Sequence, residues 1–101
     1  MTQIPTWASR VVAAFVVEAG GRIGHDTLVA RALCKMREEF RTESATVYAQ
    51  MERDVVDAIL MLVRTGVLAK RYMRDSYYGG EDTEYRVRTL VDHLALVSLA
   101  E

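Results

Sequence analysis

The residues best equipped for chemistry sit in two short segments, VLAKRYMRDSYY at 67–78 and TEYRVR at 83–88. Between them they carry five cations, Lys70, Arg71, Arg74, Arg86 and Arg88, with Tyr72, Tyr77, Tyr78 and Tyr85 interleaved. Ammonium and guanidinium groups neutralise phosphate oxygens, and tyrosine rings pack against sugars, so the mixture suits a polyanionic backbone. The same alternation is also what a half-exposed antiparallel strand displays when it does nothing but fold. The tyrosines equally suit a core rim with their hydroxyls in water.

No catalytic set accompanies these cations. The sequence holds no Ser, His and Asp grouping, no paired carboxylates beside an apolar pocket, and no glycine-rich loop leading from a strand into a helix. Gly20-Gly21-x-x-Gly24 follows a helical pattern and reads as a helix stop. His25 and His93 have no partner at ligand spacing, and the single cysteine, Cys34, can form neither an internal disulfide nor a metal site. Cys34 is therefore expected to be a small buried hydrophobe. Neither enzymatic activity, cofactor nor metal is expected.

The elements that must position the cations follow from periodicity. Residues 6–19 place Trp7, Val11, Ala14 or Phe15, and Glu18 at helical spacing between Pro5 and Gly20-Gly21. Arg22-Ile23-Gly24 is too short for more than a connecting strand, and Asp26 offers a cap for a second helix from Thr27 to Phe40. That helix carries a stripe of Leu28, Val29, Ala32, Leu33, Met36 and Phe40. Ser44 can cap a third helix ending at Gly66, although its start at Ser44 or near Met51 stays open. Its second half, VVDAILMLV, is apolar nearly all round and so reads as the central helix, leaving Gln50, Arg53, Asp54, Asp57 and Arg64 as an exposed edge. Beyond Gly66 the period changes to two, and Gly79-Gly80 separates two strands that pair most simply as a hairpin. Thr89, with Asp92 three residues on, caps a last helix.

At 101 residues and 50% hydrophobic content the chain reads as one domain, 1–101, able to bury a core without disulfides or metal. No uncharged stretch approaches the roughly 20 residues that span a bilayer, and MTQIPTWASR lacks the order of a signal peptide. A cytoplasmic protein without membrane contact is the expectation. The formal net charge is −1, from 13 basic and 14 acidic residues, so any attraction to nucleic acid must come from local charge.

The run ERDVVDAILMLVRTGVLAKRYM resembles the winged helix-turn-helix family, in which a helix closes on a Leu-x-x-Gly-x-Leu type ending and leads into a basic strand. Here the ending reads Leu62-Val63-Arg64-Thr65-Gly66-Val67-Leu68. The motif is short, while the order of elements matches over roughly residues 6–88. The resemblance implies an α+β fold, with a three-helix core, a two-stranded hairpin wing and, in this chain, an added C-terminal helix. It also implies double-stranded DNA as partner, a recognition helix in the major groove, and a wing along the phosphates. In those roles Gln50, Arg53 and Asp57 would read bases, since guanidinium pairs with guanine and a carboxylate accepts from cytosine. Lys70, Arg71, Arg74, Arg86 and Arg88 would hold phosphates, with Tyr72, Tyr77 and Tyr78 as wing aromatics. Asp54 and Asp57 repel phosphate, and Glu81, Asp82 and Glu84 are expected to make the wing tip acidic, against deep minor-groove insertion.

The last helix packs Leu90, Val91, Leu94, Leu96, Val97 and Leu99 into eleven residues, more than one face needs. A homodimer is expected, with residues 89–101 as the dimerisation helix and an interface of Trp7, Val11, Phe15, Leu90, Leu94 and Val97. Twofold symmetry would set two recognition helices about 34 Å apart, one turn of DNA. The protein then resembles small archaeal, viral or plasmid-type transcriptional regulators. The alternative is a winged-helix protein-interaction module without direct DNA binding, favoured by the neutral net charge and the acidic residues.

Overall fold

The computed structural model describes residues 4–41, 43–72 and 83–101. Its elements are α1 (Thr6–Glu18), β1 (Arg22–Gly24), α2 (His25–Phe40), α3 (Ala45–Arg64), β2 (Ala69–Tyr72), β3 (Thr83–Arg86) and α4 (Leu90–Ala100). Four helices are thus joined to one antiparallel sheet in the order β1-β3-β2. Arg74, Tyr77, Tyr78, Glu81 and Asp82 lie outside the described residues.

Helix ends fall where local chemistry satisfies the backbone. At the end of α1, Gly20 (φ 79°) and Gly21 (φ 87°) return their N–H groups to the carbonyls of Val17 and Val16. This double bond needs a left-handed residue just past the helix, which glycine adopts without a Cβ penalty. Helix α3 begins at Ala45, which settles its start, with the Ser44 hydroxyl accepting from the Val47 N–H at 3.4 Å. It ends similarly at Gly66 (φ 84°), whose N–H donates to Val63 O while the Leu68 N–H returns to Leu62 O. Thr89 and Asp92 bond reciprocally at the start of α4, the hydroxyl accepting from the Asp92 N–H and donating to its carboxylate. The expected cap of α2 is corrected. The helix begins at His25 with Gly24 as its N-cap, and Asp26 lies inside the first turn without a side-chain cap bond. A carboxylate there still faces the positive end of the helix dipole.

Two further expectations are overturned by helical geometry. The buried residues of α2 are Leu28, Ala32 and Met36, one per turn. Cys34 lies two residues, about 200°, from both Ala32 and Met36, so it is exposed rather than buried. Phe40, read as the end of the stripe, is 52% exposed at the last residue of α2, where it borders an open groove with Trp7 and Val47. The central position belongs to α1 as much as to α3: α1 packs against α2, α3 and α4, and Ala8, Val12, Ala13 and Val16 are fully buried. Its alanines let neighbouring helices approach closely, while α3 leaves Leu60, Met61 and Val63 only half-buried.

The connecting strand β1 is a full member of the sheet. Arg22, Ile23 and Gly24 pair with Arg86, Tyr85 and Glu84, and the Val87 N–H donates to Gly21 O at 2.8 Å to extend the ladder. On the other side of β3, Ala69, Lys70, Arg71 and Tyr72 pair with Arg86, Tyr85, Glu84 and Thr83. Ile23 and Tyr85 are buried in the core with Leu28, Val55, Ile59, Leu62, Leu68 and Leu96.

Candidate nucleic-acid interface

Residues directly opposite in an antiparallel sheet share a face, and the faces alternate along each strand. The register therefore sorts the sheet's side chains. Ile23, Tyr85, Lys70, Tyr72 and Thr83 fall on the face that meets the helices, whereas Arg22, Arg71, Glu84 and Arg86 fall on the other. Three arginines and one glutamate thus occupy one sheet surface.

The glutamate is already neutralised. Arg22 Nε donates to Glu84 Oε1 at 2.7 Å, and the Glu84 side chain is 11% exposed against 57% for Arg22. The expectation that Glu84 belongs to an acidic tip is corrected: it lies within β3, buried, with its charge held by β1. Beside it, Lys70, Arg71, Arg86 and Arg88 line an open basin of about 350 Å³ with Ala69 and Val87, and among the described residues no carboxylate contributes to that lining. These four exposed cations give the basin a local charge opposite in sign to the whole chain's.

Tyrosine roles divide by burial. Tyr85 is 2% exposed, so it is a core residue and is corrected from the exposed interleaving set. Its hydroxyl lies 2.7 Å from His25 Nδ1, which gives that histidine a structural partner, and burial raises the phenol's pKa above 10.0. Tyr72 is 73% exposed, with the Lys70 ammonium 5.0 Å from its ring centroid. The Tyr72 side-chain hydrogen bond, reinforced by its charge, raises the Lys70 pKa above 10.5. Lys70 therefore keeps its proton to a higher pH than an ordinary lysine. Tyr72 is an exposed ring with the Lys70 ammonium over it, at the end of β2 and outside the basin's lining.

The polar edge of α3 splits in two. Arg53 and Asp57 are exposed and line a shallow groove of about 300 Å³ together with Ala49, Glu52 and Val56. Gln50 points to a different hollow, donating from Nε2 to Asp54 Oδ1 at 3.0 Å. Asp54, expected on the exposed ridge, is 9% exposed, because its position on α3 turns it towards the start of α1 and the end of α2. The three residues expected to read bases are therefore not one constellation: Arg53 and Asp57 share a groove, and Gln50 flanks another.

On α4 only Leu96 is fully buried, against α1. Leu90 (72%), Val91 (75%) and Leu94 (57%) remain exposed within one arc of about 100°, while Leu99 (37%) lies on the opposite side of the helix from Leu90. Val97 is half-buried, and Trp7, Val11 and Phe15 are half-buried against their own chain's core. The apolar surface available to a partner thus comes from α4, while the α1 residues are largely occupied within the chain.

Sequence reading missed Arg22 as the charge partner of Glu84. A cation in a three-residue strand between Gly21 and Gly24 was the available signal, but the partner lies 62 residues away. Comparison of the chain with protein-family models, with curated proteins and with solved structures gives no match. Among the described residues no group of three His, Cys, Asp or Glu side chains is arranged to hold a metal ion, and no helix is long and apolar enough to cross a membrane.

Proposed function

We propose that the protein is a dimeric winged-helix DNA-binding regulator of transcription, gripping phosphates with its basic hairpin and presenting α3 to the major groove. The observation that carries this reading is the basin of Lys70, Arg71, Arg86 and Arg88, beside which Glu84, the residue opposite Arg71, is buried against Arg22. Cations gathered with no carboxylate in the lining among the described residues suit a phosphodiester backbone. The order α1-β1-α2-α3-β2-β3 with sheet order β1-β3-β2 supports the fold side of the proposal. The outer face of α4 supplies the twofold contact, a second copy covering Leu90, Val91 and Leu94.

One observation favours a second reading, a winged-helix protein-interaction module. The exposed groove on α3 carries Glu52 and Asp57 around Arg53, a net acidic surface that phosphate disfavours and a basic peptide suits.

Fluorescence anisotropy with a random-sequence duplex separates the two. Binding that weakens steeply with salt, and is lost on changing Arg71, Arg86 and Arg88 to Ala, is the expected result. Absence of binding even at about 20 mM salt, where phosphate contacts are strongest, refutes the DNA reading and leaves the interaction module.

A further inference from the structure

The start of α1, the end of α2 and the first half of α3 border an open groove of about 420 Å³ that no sequence motif announced. Its walls are Trp7, Phe40, Val47 and Met51, and its polar groups are Gln50 and Asp54. The Trp7 and Phe40 rings meet edge to face, with centroids 6.1 Å apart and planes at 70°. Phe40 is 52% and Val47 42% exposed, so two large apolar side chains border an open hollow instead of packing.

The chemistry of the hollow lies in Asp54. This carboxylate is nine-tenths buried, yet its hydrogen bond from a side chain is the single neutral one from Gln50, 3.0 Å to Oδ1. Among the described residues no Lys, Arg or His nitrogen stands within ion-pair distance of it. Burying a carboxylate with so little compensation is unfavourable, and a cation placed against it offsets that cost. The neighbouring groups also favour positive charge, because indole and phenyl faces attract cations through their quadrupoles. A volume of about 420 Å³ lies within the range of clefts that hold small organic molecules.

We propose that this groove is a binding site for a small organic cation, a primary or substituted ammonium on an aryl or alkyl body. The ammonium donates to Asp54, and the body lies along Trp7, Phe40 and Val47. The site is independent of the DNA reading, and its test contains no DNA.

Trp7 is the only tryptophan in the chain, so its fluorescence reports on the groove directly. The experiment titrates the full chain with phenethylammonium, with 2-phenylethanol, which keeps the body and loses the charge, and with 3-phenylpropionate, which inverts it. The expected result is a saturable change with phenethylammonium, an apparent Kd at least about tenfold weaker for the alcohol, and no saturation with the carboxylate. In Asp54→Asn the preference for the ammonium over the alcohol disappears, while circular dichroism shows an unchanged fold. Equal binding of ammonium and alcohol to the wild-type protein overturns the proposal, as does the absence of any saturable signal at millimolar phenethylammonium. The wild-type comparison decides the matter even if the variant fails to fold.

Discussion

Replacing Glu84 by glutamine should strengthen binding to DNA, an outcome that distinguishes a phosphate clamp from a merely solvated strand. Glu84 is buried, and its carboxylate neutralises Arg22 across a 2.7 Å contact. Arg22 itself is 57% exposed, on the same sheet surface as Arg71 and Arg86. Glu84→Gln keeps an acceptor for the Arg22 N–H and removes the negative charge, so the number of uncompensated cations beside the basin rises from four to five. At about −0.9 per phosphate contact, the slope of log K against log salt should steepen from about −3.6 to about −4.5. Between 50 and 200 mM salt the wild type should then lose roughly 150-fold in affinity and the variant roughly 500-fold. Stability should fall by only about 1 kcal/mol, because the freed guanidinium is solvated. Arg22→Ala has the opposite balance: it strands a buried carboxylate, costs roughly 3–5 kcal/mol, and leaves the slope no steeper. The assay is anisotropy with one duplex across a salt series, with urea unfolding of each variant. A folded Glu84→Gln protein whose slope is unchanged or shallower refutes the assignment of this surface to phosphate.

Three other outcomes are expected. Light scattering should return about twice the chain mass of 11.4 kDa for the wild type, and Leu94→Glu, at a side chain 57% exposed, should return the monomer with stability changed by less than about 0.5 kcal/mol. A wild-type monomer at micromolar concentration refutes the dimer. Burial raises the pKa of Tyr85, so the phenol's contribution is complete below pH 10.0 and is lost as pH climbs through the higher folded value, where the unfolded chain has already released its proton. Thermal melts should show this alkaline loss in the wild type and a smaller loss in Tyr85→Phe; identical alkaline profiles refute the account. Gly66→Ala should cost about 1–2 kcal/mol in urea unfolding, because φ is 84° and an added Cβ meets nothing within 4 Å, so backbone strain acts alone.

Legibility from sequence followed the range of the interactions. The ends of α1, α3 and α4 were readable because glycine, serine and threonine act within a few residues of themselves. The alternation of the two hairpin strands was readable for the same reason, and Lys70, Arg71 and Arg86 keep the strand positions it gave them, while Arg88 lies two residues past the end of β3. Phe40 failed because the apolar stripe was drawn longer than the part of α2 that is covered, and Cys34 because it was read from its residue type and not from its place about 200° from Ala32 and Met36.

The failures at Glu84 and Asp54 have a different cause, and they matter more to function. Each is an acid that a one-dimensional reading assigns to solvent, and each is buried by segments far away in the chain. Glu84 is covered through β1, whose Arg22 is 62 residues distant, and Asp54 sits where the start of α1 crosses α3. Counting both as exposed made the candidate surface look more acidic than it is. With Glu84 paired to Arg22, no carboxylate among the described residues contributes to the lining of the basin, an arrangement that suits phosphate. Once Asp54 leaves the ridge, the acidic residues of the exposed α3 groove reduce to Glu52 and Asp57, flanking Arg53. Gln50 leaves with it, tied to the buried carboxylate, so any base reading by α3 rests on Arg53 and Asp57. On the proposed reading the two surfaces would favour different partners, the sheet polyanions and the helix cations or cytosine edges. DNA can satisfy both only if the sheet dominates affinity and α3 contributes selectivity, which is the division of labour that phosphate and base contacts have in general.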